Sequence, residues 1–187
     1  MPYFDDPDHV TAYIKMVEGY DGRELVEALR GYLPQNSQVL EIGMGPGTDL
    51  DLLKPHYQVT GSDFSKVFIE RYQTSHPKAD LLLLDAVTLK TDRTWEGIYS
   101  NKVLHHLQEE ELVASLARQS EIIQPGGILM HSFWLGEGCE LMEDLLFTYY
   151  CESRLKELFA VHFKVLECRV YKEMEKDDSI LVVAEAI

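Results

Sequence analysis

The chain has 187 residues, 45% hydrophobic and 26% charged, which is enough for one globular domain with a sizeable core. With 17 Lys and Arg against 32 Asp and Glu, its formal net charge is −15, and such a surface repels phosphate backbones and anionic membranes. Nucleic-acid substrates are therefore disfavoured, and no apolar run approaches the roughly 20 residues of a membrane helix. The opening MPYFDDPDHV carries neither a basic leader nor an apolar stretch, so the expectation is a cytoplasmic protein without a secretory signal. Cys139, Cys151 and Cys168 are widely spaced and form no CxxC or Cys/His pattern; they read as reduced thiols, and no metal is expected.

In chain order, residues 8–19 and 22–32 read as helices, the second from Leu25, Val26, Leu29 and Leu33 at helical spacing. Residues 38–42 form a short buried strand that runs into the glycines of GMGPG, and a helix follows over 49–53. A second strand is expected over 57–62, a helix over 65–75, and a fully buried strand over 79–84 on the strength of LLLL. A weaker strand covers 97–101, and 109–123 is a helix with Leu112, Val113, Leu116, Ile122 and Ile123 on its apolar stripe. Pro125-Gly126-Gly127 reads as a turn before a strand over 128–133. Residues 140–150 and 154–159 read as helices, and strands over 163–171 and 179–186 flank the polar turn Lys176-Asp177-Asp178 as an antiparallel hairpin. Alternating strands and helices predict a doubly wound α/β fold with a mostly parallel sheet, helices on both faces and that C-terminal antiparallel hairpin at one edge. Ligands of such sheets bind beyond the carboxyl ends of the strands, where the strand order reverses.

The most informative segment is VLEIGMGPGT, residues 39–48. A strand ends in an acid, Glu41, and then Gly43, Gly45 and Gly47 alternate. Glycine tolerates positive φ and lets a ligand lie against the backbone, and the following helix opens with free N–H groups. The dinucleotide fingerprint GxGxxG or GxGxxA is not met, because Thr48 stands where its last small residue belongs. The pattern ExGxGxG instead resembles motif I of the class I (Rossmann-like) S-adenosylmethionine-dependent methyltransferases. The resemblance runs over residues 37–187. Asp63 ends the second strand in VTGSD, Asp85 follows the third in LDA, and WEGIYSNKVLHHL resembles the family's fourth motif and the segment after it. QPGGIL resembles the LxPGG turn before the fifth strand, with Ile123 in place of Leu. The acid usual at the start of the fourth strand is displaced, since Glu96 is followed by Gly97.

The resemblance implies a seven-stranded sheet, S-adenosylmethionine as cofactor and S-adenosylhomocysteine as product. It implies that Glu41, Gly43, Met44 and Gly45 cradle the methionine part of the cofactor and that Asn101 faces it. It also implies that Asp63 holds the ribose, that Phe64 packs on the adenine, and that Asp85 with Ala86 receives the adenine amine. It further implies one methyltransferase domain over 1–187, with 1–35 as a helical lid and 36–187 as the core. Methyl transfer needs nucleophile, methyl carbon and sulfur in line, and a base only where the nucleophile carries a proton of high pKa. His105 and His106 are the candidate bases, and Tyr13, His131 and Trp134 the candidate lining of the acceptor pocket, with Gly136 and Gly138 as hinges of a second variable region. Each histidine also reads as structural, His106 orienting its loop, His105 packing on the next helix and His131 buried and hydrogen-bonded on the fifth strand, the last being the favoured reading of His131, and Trp134 also reads as core.

The chain is acidic and lacks the (D/N)PPY-like signature of many enzymes that methylate base nitrogens, Ser100-Asn101-Lys102-Val103 standing there instead. A small-molecule acceptor is therefore expected. The alternative is a non-catalytic cofactor-binding or regulatory module, and a nicotinamide-dependent oxidoreductase is disfavoured by the Gly47-Thr48 ending.

Overall fold

Val39 to Ile42 are buried on both faces, as a central parallel strand requires, and they form most of β1 (Gln38–Ile42). The computed structural model describes residues 3–142 and 145–187. Around β1 stand β2 (Gln58–Asp63), β3 (Asp80–Leu83), β4 (Trp95–Asn101) and β5 (Ile123–Trp134), followed at the edge by β8 (Phe163–Tyr171) and β9 (Ser179–Ala186). The sheet order is β3-β2-β1-β4-β5-β9-β8. β1 pairs in parallel with β2 and β4, β2 with β3, and β4 with β5, whereas β9 runs antiparallel to both β5 and β8. This is the doubly wound sheet with a terminal antiparallel hairpin that the strand–helix alternation predicts. The order reverses between β1 and β4, so their carboxyl ends open the crevice in which ligands bind.

Period-two alternation sorts the side chains of each strand between two layers. On one face Leu40, Ile98 and Leu129 pack with Leu112 and Leu116 of α5 (Glu109–Ile122) and Leu155 and Phe159 of α6 (Glu152–Phe159). On the other face Val39, Tyr99 and Met130 pack with Leu25, Val26 and Leu29 of α2 (Arg23–Leu29) and with Leu53 of α3 (Thr48–Leu53). A smaller cluster joins Met44, Leu50 and Tyr72, the last from α4 (Lys66–Ser75). The first helix, α1 (Pro7–Met16), is capped by Asp6, whose carboxylate accepts from Asp8 N, and has Pro7 in its first turn. Among the described residues no helix is long and apolar enough to cross a membrane.

Three expectations are corrected. The expected helix over 140–150 is not formed by its described residues, 143 and 144 lying outside them: β6 (Cys139–Met142) and β7 (Leu145–Thr148) pair as a separate antiparallel two-stranded sheet. Apolar residues on every side satisfied a helical reading, but contacts to the rest of the chain select the strand form. Phe147 packs on both His105 and His106, and Thr148 Oγ1 donates to Leu107 O. β3 is not fully buried, because it is an edge strand; Leu83 is 58% exposed. Pro125-Gly126-Gly127 lies inside β5 as an irregularity rather than before it, since Trp95 pairs with Ile123 and Gly97 with Ile128, leaving Glu96 opposite the stretch 124–127.

Candidate active site

A cavity of about 640 Å³ opens at the carboxyl ends of β1 and β4, roofed by α1 and walled by the β6–β7 hairpin. Glu41, Gly43, Met44, Gly45 and Asn101 line it, as do His105, His106, Tyr13 and Trp134, so nine of the expected site residues meet in one place.

The floor is the β1–α3 turn. Gly43, Gly45 and Gly47 all have left-handed backbone, with φ of 69°, 49° and 86°. They serve different purposes. A Cβ on Gly43 would lie 2.5 Å from Val103 Cγ1, and one on Gly47 would lie 2.2 Å from Tyr72 Cε2, so both are bare because side chains press on them. A Cβ on Gly45 would meet only Tyr13 Cε1 at 4.0 Å, so its bareness faces the cavity. Met44 is anchored through its N–H to Ser62 O at 2.8 Å. Glu41 is 3% exposed and its Oε2 has no hydrogen-bond partner among the described residues. Burial, then the charges of Asp49 and Asp63, pushes its carboxyl well above the usual range.

Beside this floor lies a knot that sequence reasoning missed. Asp49, in the first turn of α3 and 8% exposed, accepts from Gly22 N at 2.7 Å, from the Tyr99 hydroxyl at 2.7 Å and from Asn101 Nδ2 at 3.0 Å. It therefore ties the N-terminal segment, β4 and the glycine turn together, and Gly22 must be glycine because a Cβ would lie 2.2 Å from Asp49 Oδ2. Asn101 in turn accepts from Ser132 Oγ at 2.6 Å, which fixes its amide. The only sign in the sequence was an acid two residues after the last glycine, which also reads as an ordinary helix start.

The two adjacent histidines differ. His105 is 1% exposed, both ring nitrogens lack a partner among the described residues, and burial, then its neighbours His106 and Lys102, holds its pKa well below the ordinary value. His106 Nδ1 stands 2.7 Å from Leu146 O; a carbonyl only accepts, so Nδ1 carries the proton and Nε2 the lone pair. Burial holds His106 below the ordinary imidazole value as well, which keeps it neutral. Lys102, with left-handed φ of 54°, also lines the cavity. Its ammonium donates to Phe133 O at 3.1 Å and Ser179 Oγ at 2.6 Å, lies 3.8 Å from the centre of the Trp134 ring, and is pushed down to about 8 by burial.

Other expected residues lie elsewhere. His131 does not line the cavity. It is fully buried behind β5, where Ser100 Oγ donates to Nδ1 at 2.7 Å and Nε2 donates to Gln119 Oε1 at 2.8 Å, and burial pushes its pKa down to about 3. Its parity along β5 sends it to the α5 side, so it is a core histidine rather than part of an acceptor pocket. Asp63 also stands outside the cavity lining. Its carboxylate accepts from Gly45 N at 2.8 Å and Ser65 N at 2.7 Å, bracing the glycine turn, and burial raises its pKa to about 6. Phe64 is 49% exposed; Asp85 caps its own turn through Val87 N and Thr88 N, and Ala86 O accepts from Ser115 Oγ, so these three also stand apart from the cavity. The N-terminal segment packs against the start of α4 just after Phe64: Phe4 and Tyr13 pack on Phe68, and Ser65 Oγ donates to Phe4 O at 2.6 Å.

A family model described as a methyltransferase domain matches residues 39–127. A trans-aconitate 2-methyltransferase of Methylobacterium radiotolerans is 31% identical over 93 residues, 48% of this chain and 35% of that protein. One from Variovorax paradoxus is 30% identical over 101 residues, 52% of this chain and 38% of that protein. The chain thus spans little more than a third of the length of these curated relatives. Among solved structures, 1,6-didemethyltoxoflavin-N1-methyltransferase of Burkholderia thailandensis, with bound 1,6-didemethyltoxoflavin and S-adenosylhomocysteine, superposes with a TM-score of 0.79 at 19% identity, covering 96% of this chain and 85% of that one. The N-methyltransferase NodS of Bradyrhizobium japonicum WM9, in complex with S-adenosylhomocysteine, gives a TM-score of 0.71 at 16% identity, covering 98% and 94%.

Proposed function

We propose that the chain is a class I (Rossmann-like) S-adenosylmethionine-dependent methyltransferase that transfers a methyl group from S-adenosylmethionine to a small-molecule acceptor, releasing S-adenosylhomocysteine; the methyltransferase-domain match over residues 39–127 and the shared fold of the solved structures support this reading. The observation that carries the proposal is the orphaned Glu41 Oε2: a buried carboxyl oxygen without a partner among the described residues, beside a glycine left bare toward a cavity at the sheet's switch point. Natural folds pair or hydrate such groups, and here the missing partner fits a cationic ligand. Glu41, with Met44 and the backbone of Gly43 and Gly45, would hold the amino-acid part of the cofactor, and Asn101 would face it.

When bound, S-adenosylmethionine supplies a methyl group on a positively charged sulfur, which leaves as a neutral thioether. The chain's own work is to bind, orient and exclude water. His106, with its lone pair on Nε2 and its tautomer fixed by Leu146 O, accepts the proton that an O–H or N–H nucleophile must shed. His105 presents hydrogen-bonding nitrogens to the acceptor, and Trp134, held by Lys102, forms a wall. Asp63 and Phe64 are the proposed ribose and adenine neighbours and Asp85 with Ala86 the proposed adenine site. That placement asks the segment around Phe4 and Tyr13 to move when the nucleoside enters, so residues 1–35 act as a lid over a core of 36–187.

The test is turnover. Full-length protein incubated with S-adenosylmethionine and a panel of small acceptors should release S-adenosylhomocysteine above background with at least one of them, and a Gly45→Val variant should not. Equal release by the two proteins would refute the site.

A further inference from the structure

Four large apolar side chains stand exposed around the mouth of the cavity. Met16 (68% exposed) ends α1, Tyr20 (48%) follows it, Met142 (41%) ends β6, and Met174 (53%) lies in the β8–β9 connection; all four also line the cavity. Scattered exposed hydrophobes need no explanation, but four that line the mouth of one deep cavity do. Met174 is not on a loose tip. Asp178 accepts from Glu173 N, Met174 N and Glu175 N at 2.7 to 2.8 Å and from Ser179 Oγ at 2.9 Å, so one carboxylate fixes the backbone that presents it. Three backbone N–H groups on one carboxylate is a costly way to order an exposed turn unless its side chains have a task.

At depth the cavity changes character. The polar atoms there without partners among the described residues are Glu41 Oε2 and the two His105 nitrogens, the latter beside the free Nε2 of His106. Glu41 belongs to the cofactor end of the proposed site, and the His105 nitrogens are then the remaining buried polar atoms of the cavity without a partner among the described residues, whereas the Lys102 ammonium in the same lining is held by Phe133 O and Ser179 Oγ. Trp134 and Phe147 flank it, both in ring contact with His105.

We propose that the acceptor is an uncharged, largely apolar molecule bearing one hydroxyl or N–H group, which lies against His105 and His106 while the apolar remainder rests on the rim of Met16, Tyr20, Met142 and Met174. Methionine suits such a rim because its unbranched, polarizable side chain adapts to a flat or irregular surface. The inference rests on the methyltransferase reading for the direction of the acceptor but makes a separate claim about the rim.

The experiment uses the full chain and the neutral fluorescent dye Nile red as the probe, titrated with and without saturating S-adenosylhomocysteine, in the wild type and in Met142→Glu, Met174→Glu and Asp178→Ala. Saturable binding with one dye per chain is expected, weakened by roughly tenfold or more in each glutamate variant, because a charge replaces buried apolar contact. Asp178→Ala should also weaken it, although every rim side chain is retained. Circular dichroism and unchanged S-adenosylhomocysteine affinity establish that the variants fold. Absence of saturable dye binding, or binding that ignores all three substitutions, overturns the proposal. So does sedimentation showing a wild-type dimer that Met142→Glu and Met174→Glu dissociate, since a second copy would then cover the rim. Failure of S-adenosylhomocysteine to bind the wild type, with dye binding intact and sensitive to the rim, would instead fault the cofactor reading alone.

Discussion

Replacing Glu41 with glutamine should make the protein more stable and less able to bind its cofactor. Glu41 is 3% exposed and its Oε2 has no partner among the described residues. A buried acceptor left unsatisfied costs about 1–3 kcal/mol, and more when charged. Burial and the nearby Asp49 and Asp63 raise the Glu41 pKa in the fold well above its unfolded value. Such a group contributes its stability below the unfolded pKa and loses it as pH rises through the folded pKa. Wild type and variant should therefore melt together only below the unfolded carboxyl pKa of about 4.3, and the variant should melt progressively higher from there up to the raised folded pKa of Glu41, above which the gap is constant. At roughly 2–4 °C per kcal/mol for a chain of this size, the gain is about 2–12 °C. Thermal unfolding followed by circular dichroism across pH reads it, and calorimetry should show S-adenosylhomocysteine affinity reduced at least tenfold, roughly one lost charge-assisted contact. A variant that melts lower at alkaline pH, or that binds as tightly as the wild type, would refute the argument that this carboxylate is held destabilised for a ligand.

Asp49→Ala strips partners from the buried Tyr99 hydroxyl and from Gly22 N; at about 1–3 kcal/mol for each orphaned donor the melting temperature should fall by about 4–24 °C, and a change under roughly 2 °C would contradict the knot. Gly47→Ala asks a side chain to adopt φ of 86° with its Cβ on the Tyr72 ring, which should destabilise by about 1–3 kcal/mol in urea unfolding, whereas Gly126→Ala, whose Cβ meets nothing within 4 Å, should cost less. Once an acceptor is in hand, kcat should fall on the acid side with an apparent pKa below the ordinary imidazole value of about 6.5, since burial lowers His106, and His106→Gln should flatten that limb; an unchanged profile would remove His106 as the proton acceptor. Deleting residues 1–20 should weaken S-adenosylhomocysteine binding by roughly tenfold or more, and unchanged affinity would remove the lid.

What the sequence made legible follows from which signals are local. The boundaries of β1, β8 and β9 match the expected 38–42, 163–171 and 179–186, because buried strands bounded by turn residues announce themselves. The glycine turn and Glu41 were readable for the same reason, since left-handed backbone and a terminal acid leave a compact signature. The β6–β7 hairpin was not, because its strand form depends on Phe147 meeting a histidine pair 41 and 42 residues upstream, and Leu146 O receiving His106. His131 read both as pocket lining and, more readily, as a buried hydrogen-bonded histidine, and strand parity selects the second. Asp49, Lys102, Glu173 and Met174 went unnoticed since each acquires its meaning only from partners distant in the chain.

The measurement that tests the account most directly is calorimetric titration of the ligand-free wild-type protein with S-adenosylmethionine and S-adenosylhomocysteine. Saturable binding of both is expected at one site per chain, in the micromolar range, and abolished by Gly45→Val, whose side chain would enter the cavity floor. Absence of heat with either ligand, from protein shown to be folded, would contradict it.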